Sequence, residues 1–118
     1  MRDHTKLRAF TLADEVTVLV YQETRGFPKE EVYGLTSQMR CAAVSVPSNI
    51  VEGCARHSTS DYVRFLDMAY GSAREVEYHV SLACRLGYLS KTDIKDLGAL
   101  CCETSKVLNG LLRALRGS

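Results

Sequence analysis

Tryptophan is absent, and only two prolines, Pro28 and Pro47, interrupt 118 residues. So few breakers leave long stretches open to helix. No segment alternates apolar and polar residues as a half-buried strand would, and there is no low-complexity tract or internal repeat. The longest apolar run, Val16 to Tyr21 with Thr17 inside it, is far too short to span a bilayer. The start, Met1-Arg2-Asp3-His4-Thr5-Lys6, lacks the apolar core of a secretory signal. Charge of one sign is missing as well: the net charge is +1, so overall charge implies no polyanionic partner. The five cysteines (Cys41, Cys54, Cys84, Cys101 and Cys102) are odd in number and form no CxxC pair. They read as reduced thiols, mostly on apolar faces, of a cytoplasmic protein with no membrane partner.

Catalytic signatures are missing too. There is no phosphate-cradling GxxxxGK[ST] and no HExxH. A di-metal bundle needs two Glu-x-x-His pairs and two further inward glutamates. This chain has Glu75 and His79 four apart, with no second pair, and His4 and His57 lie near chain or helix ends. No nucleophile, base and orienter set stands out. The expectation is therefore no enzyme, no metal and no cofactor.

What the chain does have is helical periodicity. An apolar content of 46% with 25% charged residues suits one globular domain over 1–118. The first helix is expected from about Lys6 to Arg25, with Leu12, Val16, Leu19 and Glu23 on one face, and Gly26-Phe27-Pro28 ends it. Lys29 to Gly34 reads as a short turn, and a second helix runs from about Leu35 to Ala55. Ser58 followed by Asp61 marks the start of a third helix, from about Thr59 to Leu86. Its seam of Tyr62, Leu66, Ala69, Ala73, Val76, Val80, Ala83 and Gly87 keeps heptad spacing, with Ala69, Gly71, Ser72 and Ala73 making a small-residue middle for close helix approach. Gly87 suits the left-handed position past a helix end. Ser90-x-x-Asp93 repeats the cap before a fourth helix, from about Lys91 to Leu115, whose seam is Ile94, Leu97, Cys101, Thr104, Leu108, Leu111 and Leu115. Short connections make antiparallel neighbours, so the fold class is all-α: an up-down-up-down four-helix bundle. Helices one and four carry more apolar surface than one core needs, which points to self-association.

The second helix holds the most informative stretch, Ser45-Val46-Pro47-Ser48-Asn49-Ile50-Val51-Glu52-Gly53. Pro47 sits between Leu35, Met39, Ala42, Val46 and Ile50, which recur at helical spacing. It should kink the helix and free the Ala43 carbonyl, at a cost of roughly 3 kcal/mol. Gln38, Ser45, Asn49 and Glu52 form a polar stripe beside the apolar one. The structural reading has Ser45 or Asn49 bond the freed backbone. Gln38 and Glu52 then meet Ser72 and Glu75 on helix three, and Arg40 pairs with Glu52 or Glu75. The functional reading would make the same residues a ligand site.

Four ordered motifs carry a family resemblance. They are Phe27-Pro28-x-x-Glu31-x-Tyr33-Gly34-Leu35-Thr36-x-Gln38-x-Arg40; Ser45-x-Pro47-x-Asn49-Ile50-x-Glu52-Gly53; Phe65-Leu66-x-x-Ala69-x-Gly71-Ser72-x-x-Glu75; and Leu86-Gly87-Tyr88-Leu89. The chain resembles the bacterial four-helix bundle proteins of intervening sequences in large-subunit ribosomal RNA genes, closely over Phe27 to Leu89. The resemblance implies a closed bundle assembling into a ring-like homopentamer. A distant branch, the accessory variability proteins of diversity-generating retroelements, binds a reverse transcriptase and nucleic acid. That branch is strongly basic and lacks Asn-Ile-x-Glu-Gly, so this chain looks like the intervening-sequence branch.

Charge distribution says more than net charge. The expected topology brings residues 1–9, 54–66 and 110–118 to one pole, with Arg2, Lys6, Arg8, Arg56, Arg64, Arg113 and Arg116 against Asp3 and Asp61, a local charge of +5 that leaves −4 elsewhere. Repeated around a ring, such a rim suits RNA or DNA. The leading expectation is a non-catalytic, ring-forming assembly or adaptor module contacting nucleic acid through this pole. The alternative is a protein-only scaffold that docks a partner protein.

Overall fold

The computed structural model describes residues 2–117. Among them are four α-helices: α1 (Arg8–Thr24), α2 (Leu35–Cys54), α3 (Thr59–Arg85) and α4 (Lys91–Gly117). Two single 3-10 turns, His4–Lys6 and Lys29–Glu31, precede α1 and α2. Each helix packs on its chain neighbour, and α1 closes against α4, so α1 and α3 sit diagonally in an antiparallel four-helix bundle of 44 × 24 × 19 Å. The described residues contain no strand.

The helix boundaries follow local chemistry. The Ser58 hydroxyl accepts from the Asp61 amide at 3.1 Å, and Ser90 does the same for Asp93 at 3.1 Å, so both expected caps are present. Gly87 takes φ +78, and the amide of Tyr88 reaches back to the Ala83 carbonyl at 2.9 Å, closing α3 with a left-handed glycine. The entry to α2 has a cap of another kind. The Leu35 amide donates to Glu31 Oε1 at 3.1 Å, a carboxylate supplied by the preceding turn. Helix α2 stays helical through Pro47.

The core has two linked parts. One lies toward the α1–α2 connection and contains Val20, Met39, Val76, Val80, Leu97 and Cys101. The other lies toward the chain ends and contains Ala13, Ile50, Tyr62, Leu66, Leu108 and Leu112. The seam expected in α3 is buried from Tyr62 to Ala83. The α1 seam is displaced round the helix: Ala9, Ala13, Val16, Val20 and Thr24 are buried, while Leu12, Leu19 and Glu23 are half-buried flanks. In α4 the buried line is Leu97, Cys101, Thr104, Leu108 and Leu112, with Leu111 and Leu115 half-buried. A straight α-helix drifts by roughly 20° per heptad, so Leu112 takes over the inward position from Leu111.

Three further expectations are corrected. Gly71 does not admit a neighbouring helix, since a Cβ placed there would meet nothing within 4 Å; Ala69 and Ala73 make the close contact. Large apolar side chains left in solvent lie on α1 (Val18, Tyr21), α2 (Val44, Val51) and α3 (Met68, Tyr78) and in the connections (Val32, Tyr33, Leu86), and none is on α4. Of the five cysteines, all unpaired, only Cys54 and Cys101 are buried, and Cys41, Cys84 and Cys102 are exposed.

Candidate nucleic-acid interface and the polar stripe

The polar stripe divides into three groups. Ser45, Asn49 and Ser72 come together between α2 and α3. The hydroxyls of Ser45 and Ser72 lie 2.9 Å apart, and Asn49 Nδ2 donates to the Ser45 carbonyl at 2.8 Å and to its hydroxyl at 2.9 Å. Gln38 and Glu52 are exposed and do not reach across to Ser72 or Glu75. Arg40 turns the other way, to α1. Its Nε donates to Thr24 Oγ1 at 2.8 Å and a terminal nitrogen to the Tyr21 carbonyl at 3.4 Å, with the guanidinium 4.7 Å from the Tyr21 ring centre. It therefore secures the last turn of α1, where free carbonyls accumulate, and pairs with neither Glu52 nor Glu75.

Glu75 partners His79 at 3.5 Å on its own helix. His79 is buried, its Nδ1 has no hydrogen-bond partner, and burial holds its pKa below the ordinary imidazole value despite the Glu75 carboxylate. The carbonyl freed by Pro47 is repaired from a direction the sequence did not suggest. Neither Ser45 nor Asn49 reaches Ala43; Thr17 of α1 donates to it at 3.0 Å.

The basic pole is assembled as the helix order requires. The Arg2 amide bonds the last carbonyl of α2, Cys54, at 2.8 Å, and its guanidinium lies 4.0 Å from the centre of the Tyr62 ring at the start of α3. Arg56 and Arg64 each lie 4.7 Å from the Phe65 ring centre. Gly53 makes this corner possible: a Cβ there would meet the Phe65 Cβ at 2.9 Å and Tyr62 Cδ1 at 3.4 Å. Burial pushes up both the Tyr62 phenol and the Cys54 thiol beneath Arg2, so the surface directly under this arginine is neutral.

Two acids missing from the expected charge sum belong here. Arg8 pairs with Glu103 at 2.6 Å, and Arg116 pairs with Asp67. With these included, seven basic residues face four acidic ones and the pole is +3, not +5. Both pairs join separate helices, so no spacing along the chain announces them. Arg64 keeps a loose contact with Asp61 at 3.9 Å. Lys6 and Arg113 are exposed. At the other pole Glu23 has its carboxyl pushed up, first by burial and then by Asp93 and Asp96.

Among the described residues no group of three or more His, Cys, Asp or Glu side chains could hold a metal ion, and no helix is long and apolar enough to cross a membrane. No curated protein matches the chain. Among solved structures, a protein of unknown function of the S23 ribosomal protein family from Bacteroides thetaiotaomicron VPI-5482 superposes with a TM-score of 0.80. It is 21% identical, and the match covers 89% of this chain and 95% of that one, a likeness of fold. Residues 5–110, nearly the whole bundle, match the 23S rRNA-intervening sequence protein family, and the chain belongs to that family.

Proposed function

We propose that this chain is a non-catalytic, cytoplasmic helical bundle that assembles into a ring, a homopentamer, and contacts RNA or DNA through its basic pole. The observation that carries the reading is the arrangement of Arg2, Arg56 and Arg64. Each guanidinium rests near an aromatic ring at the α2–α3 corner; Arg56 and Arg64 are exposed, and Arg2 is half-buried with a bond to the Thr59 hydroxyl. Such stacking holds a planar cation in place, so less side-chain freedom is lost when it meets a phosphate. Lys6 and Arg113 extend the same surface. Ring symmetry would multiply a local charge of +3 into a continuous rim. Assembly would cover the apolar side chains left in solvent, Val18, Val44, Val51, Met68 and Tyr78. Those exposed residues also favour the second reading, in which the assembled bundle docks only protein.

Light scattering at micromolar concentration tests the assembly, which requires about five times the monomer mass. Titration of labelled single-stranded RNA and duplex DNA at two salt concentrations tests the partner. Phosphate contacts release counterions, so binding should fall steeply with salt and depend little on sequence. Reversal of Arg56 and Arg64 to glutamate should weaken binding and leave the mass unchanged. Charge changes at Arg85 or Lys95, far along the bundle, should matter little. No binding at low salt, or binding indifferent to the reversals, favours the protein-only scaffold.

A further inference from the structure

At the pole opposite the arginine corner, an open cavity of about 410 Å³ lies between the end of α1 and the start of α2. That volume is within the usual range for small-molecule sites. Three cations line it, Arg25, Lys29 and Arg40, and no carboxylate does. Among the described residues none of the three has an ion-pair partner. Arg40 is fixed in place by Thr24 Oγ1 and the Tyr21 carbonyl, and its Nη1 group takes no hydrogen bond. The Thr24 hydroxyl accepts from Arg40 and donates to the Val20 carbonyl at 2.7 Å, which leaves it no proton for a ligand.

Thr36 supplies an independent observation. Only 6% of this residue is exposed, its hydroxyl makes no hydrogen bond within the protein, and it lines the same cavity. The side chain is nearly covered but its hydroxyl stays open to the cavity, where water satisfies it in the free protein and a bound group can take that place. Thr36 also belongs to the first turn of the 20-residue helix α2, whose leading amide, Leu35, is already taken by Glu31, so the side chains and not the helix end carry the positive charge here. Of the acids that flank these residues in sequence, Glu23, Glu30 and Glu31, none lines the cavity, and Glu31 has both carboxylate oxygens engaged by Leu35 and Tyr88. Phe27, Pro28 and Val32 form an apolar wall beside the cations.

We infer that this cavity binds a small phosphorylated organic molecule, its phosphate held by Arg40, Lys29, Arg25 and the Thr36 hydroxyl and its body packed on the apolar wall. Three uncompensated positive charges match a phosphate dianion better than a single carboxylate. The inference is independent of the proposed nucleic-acid rim, which lies at the other pole.

Calorimetric titration at about 150 mM salt, where surface charge is largely screened, tests it with three probes: phenyl phosphate, inorganic phosphate and a short oligonucleotide with or without a 5′-phosphate. Phenyl phosphate should bind saturably and more tightly than inorganic phosphate. Arg25→Gln/Lys29→Gln should weaken it about tenfold or more, the scale of losing charge-assisted hydrogen bonds. Thr36→Val should also weaken it. None of these side chains has a protein partner to lose, so unfolding midpoints without ligand should stay at the wild-type value, which separates lost binding from lost folding. Arg56→Glu/Arg64→Glu should leave phenyl phosphate binding untouched. The inference is overturned by absent or unsaturable binding, or by binding equal in wild type and variants. It is likewise overturned if only the 5′-phosphorylated oligonucleotide binds, because the site would then read a nucleic-acid end.

Discussion

Thr17 and Ala43 meet across the α1–α2 interface: the threonine Oγ1 lies 3.0 Å from the alanine carbonyl, whose natural helical donor would be the amide that Pro47 lacks. The same hydroxyl lies 2.9 Å from its own helix's Ala13 carbonyl, but that oxygen already has the ordinary helical amide. The bond to Ala43 is therefore the one the fold depends on, and it makes the proline in α2 and the threonine in α1 a single device. Thr17→Val, which keeps shape and removes the donor, should destabilise the protein by about 1–3 kcal/mol in chemical denaturation. In a Pro47→Ala background the restored amide can serve Ala43, so the same change should cost markedly less. Equal costs in both backgrounds would refute the pairing, since a double-mutant cycle measures just this coupling.

Two glycines of the recognised motifs separate on one criterion, the room for a methyl group. Gly53→Ala would push a Cβ to 2.9 Å from the Phe65 Cβ and force α2 away from α3, with an expected loss of about 1–3 kcal/mol. Gly71 lies mid-helix with nothing within 4 Å of a new Cβ, so Gly71→Ala should stabilise by about 0.5–1 kcal/mol. Thermal melts of the two variants should move in opposite directions. A melt lowered by Gly71→Ala would mean that this face is packed against another copy.

The fold was legible because helix signals are local. Ser58, Gly87 and Ser90 act within four residues of themselves, and the α3 seam is periodic over seven turns, so each could be read along the chain. The polar stripe was legible only in part. Helical spacing put Ser45 and Asn49 on one face of α2, but not their partners: Ser72, expected opposite Gln38 and Glu52, meets Ser45, and neither Ser45 nor Asn49 reaches the Ala43 carbonyl. The destinations of Arg40, Thr17, Arg8 and Arg116 were not legible. A long side chain on a helix flank can serve either neighbouring helix, and the choice depends on rotation of the helices about their axes by a few tens of degrees. The misplaced α1 seam shows the same sensitivity: a helix apolar on several faces gives no periodic signal to fix its rotation.

His79 should make the protein sensitive to mild acid. Its pKa is lowered from the ordinary 6.5, first by burial, with Glu75 pulling the other way. The unfolded chain therefore binds a proton that the folded chain resists. Stability is complete above about pH 6.5 and declines as the pH falls below it toward the folded-state value. His79→Phe keeps a ring in the same space and removes both the titration and the unpartnered Nδ1. Denaturation measured from pH 7.5 down to 5 should show a slope in the wild type that the variant lacks. The same slope in both proteins would assign the acid response to carboxylates instead.

Glu31 joins two motif segments that lie 57 residues apart. Its Oε1 caps α2 through the Leu35 amide, and its Oε2 accepts the Tyr88 hydroxyl at 2.9 Å just past the end of α3, where the Tyr88 ring also lies 5.3 Å from Phe27. Gly34 is part of the same arrangement, since a Cβ there would come within 2.6 Å of Glu31 Oε1. Glu31→Ala should cost about 1–2 kcal/mol through the lost cap, and Gly34→Ala should weaken the same cap by displacing the carboxylate. Tyr88→Phe isolates the second bond, because it keeps the ring and removes the hydroxyl. The hydrogen bond to Glu31, more than burial, raises the Tyr88 pKa above the ordinary 10.0. This acid is raised in the folded state, so its contribution is present below pH 10 and is lost as the pH rises through the folded-state value. The stability gap between wild type and Tyr88→Phe should therefore be open at pH 8 and should close at strongly alkaline pH. A gap that stayed constant with pH would show that the ring, and not the hydroxyl bond, ties the end of α3 to the entry of α2.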